Sequence, residues 1–138
     1  MSTKLSASYR PTDKERFMNS RQLEYFRRRL LTWRAELLDE STQTLHHLQE
    51  ETAPEPDIAD RASAETDRAI ELRTRDRERK LIAKIDAALR RIDDGSYGYC
   101  EETGEPIGLK RLMARPIATL SLEAQERHER RERTYRAE

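Results

Sequence analysis

Three stretches of the 138-residue chain carry residue types that could do chemistry. The first is "GYCEETGEPIG", residues 98–108. Zinc ribbons and knuckles place two cysteines as C-x₂-C in a tight turn and a second pair further on. Here Cys100 stands where the first thiolate belongs, and Thr103 where its partner belongs. The chain has no other cysteine, which excludes an internal disulfide. The second stretch, residues 50–60, holds Glu50, Glu51, Glu55, Asp57 and Asp60 and no basic residue. Carboxylates at the end of a narrow rod could reach into a channel and meet a Mg²⁺ ion, a basic loop or a mobile catalytic element. They equally suit a helix start, with Asp57 as N-cap and Asp60 in the first turn. The third is "RTRDRERK", residues 73–80, with five basic and two acidic residues. It reads either as a solvated face with ion pairs such as Asp76 with Lys80, or as a contact face for a phosphate or an acidic protein surface. His46, His47 and His128 do not share the helical spacing of a metal site. No nucleophile–base pair and no glycine-rich phosphate loop occurs, so nothing reads as an enzyme active site.

These residues need elements to position them. Residues 1–18 are polar and aperiodic, and read as a tail that is loose or docked against something else. Asn19 can cap a helix, Gln22 completes a capping box, and Met18 with Leu23 fits a hydrophobic staple. Leu23, Phe26, Leu30, Trp33 and Leu37 then recur at heptad spacing. Beyond Leu37 the seam continues through Ser41, Leu45 and Leu48, a stutter that unwinds a supercoil locally. The first helix is predicted to run to about residue 52, where Pro54 and Pro56 stop it. A second helix runs from Asp57 to Asp94 and ends at Gly95. Its distal seam is Ile82, Ile85, Leu89 and Ile92; its near seam is the thinner Ile58, Ala62, Ala69 and Leu72. Two such helices joined by a short loop fold back as an antiparallel pair about 50 Å long. Residues 95–120, with turn signals at its glycines, supply a base: a short β-hairpin and a mini-core of Tyr97, Tyr99, Ile107, Leu109, Leu112 and Ile117. Ser121 is the N-cap of a last helix.

The composition agrees with a long-helix protein: 35% apolar and 39% charged residues, too polar for a large core. Twenty-seven basic residues balance 27 acidic ones, which disfavours non-specific nucleic-acid binding. No signal peptide or membrane-length apolar run is evident. The reading is a soluble cytoplasmic protein.

Taken together, "DIADRA" at the tip, "ELRTRDRERKLIAKI" in the second helix and "GYCEETGEPIGLKRLMARPIATL" in the base resemble the DksA/TraR family of RNA polymerase regulators, over about residues 17–135. The resemblance implies a mainly α fold: a coiled-coil hairpin, residues 19–94 with its tip at about 53–60, after an N-terminal segment 1–18. A small zinc-finger-like α+β base and C-terminal helix occupy 95–138. It implies a monomeric bacterial protein that inserts the hairpin into the secondary channel of RNA polymerase without direct sequence-specific DNA contact. In the stringent response such proteins destabilise open complexes at ribosomal RNA promoters, support some other promoters, and are strengthened by the effector ppGpp. The family's tip residues fall on Asp57, Asp60 and Ala62, and its rim-gripping arginine on Arg77. That correspondence favours the contact-face reading of the charged run. The ppGpp-contacting positions fall on Leu81, Lys84 and Arg115, and on Gln125 where the family has lysine. The four zinc cysteines fall on Cys100, Thr103, Ser121 and Ala124, so no structural zinc and no other cofactor is expected. This resembles the cysteine-poor members that substitute when zinc is scarce. In place of the metal, the Thr103 hydroxyl is expected to bond within the turn, Ser121 to cap the last helix, and Ala124 to pack with Leu112 and Ile107.

Two other functions share this shape. A transcript-cleavage factor would use tip carboxylates to recruit a second Mg²⁺, but needs adjacent acids, whereas Asp57 and Asp60 stand three apart. A generic coiled-coil adaptor would be indifferent to Asp57→Asn.

Overall fold

The computed structural model describes residues 4–50 and 57–137. Four helices follow one another: α1 (Ser20–Glu50), α2 (Ile58–Asp94), α3 (Leu109–Ala114) and α4 (Leu122–Ala137). The interhelical prolines Pro54 and Pro56 and the expected end of the first helix beyond residue 50 lie outside the described residues. Contacts divide the chain into two units: Met1–Leu30 with Ala87–Glu138, and Leu31–Asp86.

In the first unit, Asn19 caps α1: its Oδ1 accepts the Gln22 N–H at 2.9 Å. The Gln22 side chain reaches back one residue further than a capping box does. Its Oε1 accepts the Met18 N–H at 2.8 Å, because the Asn19 N–H already donates to the Arg16 carbonyl at 3.3 Å. Its amide nitrogen donates to the Thr12 carbonyl, so the buried Gln22 side chain satisfies both ends. The N-terminal segment is docked rather than loose. Tyr9 donates to Glu15 at 2.7 Å and meets Tyr25 edge-on, while Phe17 meets Tyr99 at 5.6 Å between ring centroids. Phe26, Leu30, Tyr97, Leu112 and Ala124 are fully buried. Phe26 and Tyr97 pack with their rings 5.6 Å apart, and the Tyr97 hydroxyl donates to the Pro116 carbonyl. Ile107 and Leu109 join this core, whereas Tyr99 is exposed and Ile117 half-buried. The predicted β-hairpin is reduced to one antiparallel bridge, Tyr99 to Pro106. Pro106 has no N–H to extend a ladder, and the next amide, Glu101 N–H, donates to Thr119 instead.

In the second unit the two long helices run antiparallel. Arg34 of α1 meets Asp86 of α2 at 2.7 Å, and further along α1 His47 meets Glu71 at 2.6 Å. Leu37 and Ile85 are buried, and Ser41 and Leu45 are half-buried. Trp33, expected in the seam, is only half-buried. The near seam of α2 differs from the prediction. Ile58, Ala62, Ala69 and Leu72 all face solvent, and the less exposed positions are Ala64, Glu71, Thr74, Arg75, Asp76 and Glu78. Apolar spacing alone cannot tell which face meets the partner helix, and long charged side chains line a narrow seam with their aliphatic stems. The charged run therefore continues the seam at Thr74, Arg75 and Glu78 rather than interrupting it. Among the described residues, no helix is long and apolar enough to cross a membrane.

Candidate functional site

At the start of α2, Asp57 caps the helix: its Oδ1 accepts the Ala59 N–H at 3.1 Å and its carbonyl accepts the Arg61 N–H. Every residue from Asp57 to Ala62 is exposed. Capping therefore occupies one carboxylate oxygen of Asp57 without burying the group. Asp60 stands within the same first turn, and the positive end of the helix favours both charges there. Glu51 and Glu55 lie outside the described residues.

Further along α2, Ile70, Arg73, Thr74 and Arg77 line a shallow groove of about 260 Å³. Their i, i+3, i+4, i+7 spacing puts them on one helix face, a signal already present in the sequence. Arg77 is exposed, and neighbouring Asp76 is engaged by Lys80 at 3.0 Å and Arg79 at 3.2 Å. The bond from Lys80 is the main reason the Asp76 carboxyl lies below its usual range. The expected ion pair is present, and Arg77 lines the groove. On the same helix Leu81 is half-buried and Lys84 exposed.

In the first unit, Arg115 is exposed and caps α3 through its backbone N–H to Arg111. Gln125 donates through its side chain to Glu129 at 3.1 Å. The turn at Cys100 has the form of a metal knuckle. Gly104 N–H donates to the Cys100 carbonyl at 2.9 Å, and Cys100 N–H to the Glu105 carbonyl at 2.8 Å. Thr103 Oγ accepts the Glu105 N–H at 3.3 Å. Ser121 caps α4, its Oγ accepting the Ala124 N–H at 3.2 Å. Cys100 is 3% exposed. Burial pushes its pKa up, but the Thr103 hydroxyl and the backbone N–H groups of Ser121, Thr103 and Glu102 outweigh that and bring it down to about 6. Polar groups of Thr103 and Ser121 thus lie close enough to the Cys100 sulfur to lower its pKa. The sequence showed the positions but not that polar groups of both segments would converge on the Cys100 sulfur.

The sequence model described as DnaK suppressor protein DksA, N-terminal domain, matches residues 22–92. The chain belongs to the DksA family. A second model of the family, the prokaryotic dksA/traR C4-type zinc finger, matches residues 95–130. Over 130 residues the chain is 70% identical to the RNA polymerase-binding transcription factor DksA of Caulobacter vibrioides, spanning 94% of this chain and 92% of that protein. It is 46% identical over 125 residues to the protein of the same name from Escherichia coli K12, spanning 91% and 83%. The solved structure of transcription factor DksA2 from Pseudomonas aeruginosa superposes with a TM-score of 0.79 at 49% identity, over 85% of this chain and 90% of that one.

A C4 zinc finger needs four thiolates, and this DksA-family chain does not fit the ion. Ala124 has no donor atom and is fully buried. The Thr103 and Ser121 hydroxyls are committed to a turn and a helix cap, and neutral hydroxyls are poor zinc ligands. What joins the two halves of the finger here is protein: Glu101 N–H bonds the Thr119 carbonyl at 2.9 Å, and Arg111 Nε donates to the Leu120 carbonyl at 2.9 Å.

Proposed function

We propose that this chain is an RNA polymerase-binding transcription regulator that works without zinc. Its hairpin enters the secondary channel of polymerase, Asp57 and Asp60 act there with Ala62, and Arg77 grips the rim. The effector ppGpp binds in the complex near Leu81, Lys84 and Arg115, where Gln125 contributes no positive charge. The observation that carries the reading is the pair of exposed carboxylates held at the first turn of α2, in a chain 70% identical to a protein named for binding polymerase. Capping by Asp57 fixes the backbone that aims Asp60 and Ala62, so this first turn of α2 is preorganised rather than formed on contact.

In vitro transcription from a ribosomal RNA promoter tests this. The wild type lowers output, ppGpp deepens the effect, and a strong chelator leaves it unchanged. Asp60→Asn binds polymerase with wild-type affinity but no longer lowers output. A wild type that leaves polymerase unaffected would end the reading.

A further inference from the structure

We propose that the helix pair of the second unit is a conformational device with two segments of unequal strength. The stretch of α1 and α2 beyond Leu37 and Ile85, toward Asp57, opens and closes by itself, while the level of Leu37 and Ile85 stays paired. The inference stands apart from the identity of any partner the hairpin meets.

Leu37 and Ile85 are buried, and near them Arg34 bonds Asp86 at 2.7 Å. From there toward Asp57, no apolar side chain among the described residues is buried. Leu45 and Ala64 are half-buried, and Ile58, Ile70 and Leu72 are exposed. Packing of apolar side chains is the main source of stability for paired helices. The pairing free energy is therefore concentrated at one end.

What occupies the inner face of the other stretch favours separation. Glu78 stands about two turns from Ile85 and is 7% exposed, and its Oε2 is buried without a hydrogen-bond partner. About two turns further on, Glu71 repeats the arrangement. Its Oε1 meets His47 across the pair at 2.6 Å, and its Oε2 is buried and unpartnered. Opening returns both oxygens to water, which offsets part of the contact that is lost.

The hydroxyls along this stretch bond within their own helices. Thr42 and Thr44 of α1 donate to the carbonyls of Leu38 and Glu40, and Thr66 and Thr74 of α2 to those of Ala62 and Ile70. Such back-bonds to the residue four positions earlier need no partner helix. Asp76 likewise pairs with Arg79 and Lys80 on α2 itself. The His47–Glu71 contact then serves as a latch, and α2 can carry Asp57 and Asp60 away from α1 while the Leu37–Ile85 level remains closed.

Hydrogen exchange of the full chain, followed by mass spectrometry, tests this, because a helix without its partner frays and exchanges. Relative to intrinsic rates, amides of 61–77 are expected to exchange about a hundredfold faster than those of 85–92. Ile85→Val, a mild change at the strong end, should quicken exchange at 85–92 about fivefold and leave 61–77 unmoved. Glu78→Leu should slow exchange at 61–77 about tenfold. Circular dichroism checks that both variants keep the wild-type helix content. Equal protection along α2, or an Ile85→Val effect of the same size in both segments, would show that the helices part only as a whole and overturn the proposal. No slowing at 61–77 in Glu78→Leu would remove the buried carboxylate as the cause of opening, and would overturn it too.

Discussion

At the scale of single residues, Cys100 and the tip aspartates illustrate two uses of a backbone donor. The Asp57 carboxylate accepts one N–H and remains in solvent. The Cys100 sulfur gathers several donors in a buried turn and is held near a pKa of about 6 despite burial. An unfolded cysteine titrates near about 8.5. A depressed folded pKa contributes stability that is fully present above the unfolded value and disappears as pH falls through the folded one. The melting-temperature gap between wild type and Cys100→Ser should therefore be widest near pH 9 and close toward pH 6. A gap that stayed constant across that window would show that the sulfur is neutral in the folded protein.

At the scale of elements, the close approach of the N-terminal segment to the finger turns on a glycine. Gly98 has φ +91°, and a Cβ there would lie 2.8 Å from Met18 Cγ. Met18 itself sits at φ 53°, buried, so neither partner can easily retreat. Gly98→Ala should cost about 1–3 kcal/mol, measured by denaturant unfolding. In the helix pair the effect runs the other way. Glu78 is buried with an unpaired carboxylate oxygen, and Glu78→Leu should stabilise the chain by about 1–3 kcal/mol, seen as a higher denaturant midpoint. If the midpoint fell instead, Glu78 would have to be making a favourable interaction in the seam.

At the scale of the molecule, only one of the four positions of the C4 finger carries a thiol, and hydrogen bonds and packing link the segments around it. Structural zinc supplies folding free energy outright, and chelators unfold proteins that depend on it. Here the joints are Glu101 to Thr119, Tyr97 to Pro116 and Arg111 to Leu120. A strong chelator should leave the thermal melt of this protein unmoved, while it lowers that of a relative with four zinc cysteines. A large chelator-induced drop would show that a metal is bound after all.

The sequence by itself determined the three long helices and where they start, whereas the short α3 was not foreseen and the expected β-hairpin is a single bridge. Asn19 and Ser121 start helices and Gly95 stops one, because caps and terminators act through the nearest few backbone groups. It also determined the family, the tip acids and the absence of three thiolates, since all of these are matters of residue type and position. Tertiary structure decided which faces are covered. Ile58, Ala62, Ala69 and Leu72 have the spacing of a seam but lie in solvent, and Thr74, Arg75 and Glu78 take the inner positions. Periodicity gives a stripe its angle on one helix, and only the second helix supplies the direction from which that stripe is approached. The same holds for the polar N-terminal segment, which docks through Tyr9, Phe17 and Met18. Its partners, Tyr25, Tyr99 and Gly98, come from distant parts of the chain, and no local pattern encodes their meeting. The Cys100 sulfur is the third case, because the polar groups that lower its pKa converge only when the two halves of the finger close on each other.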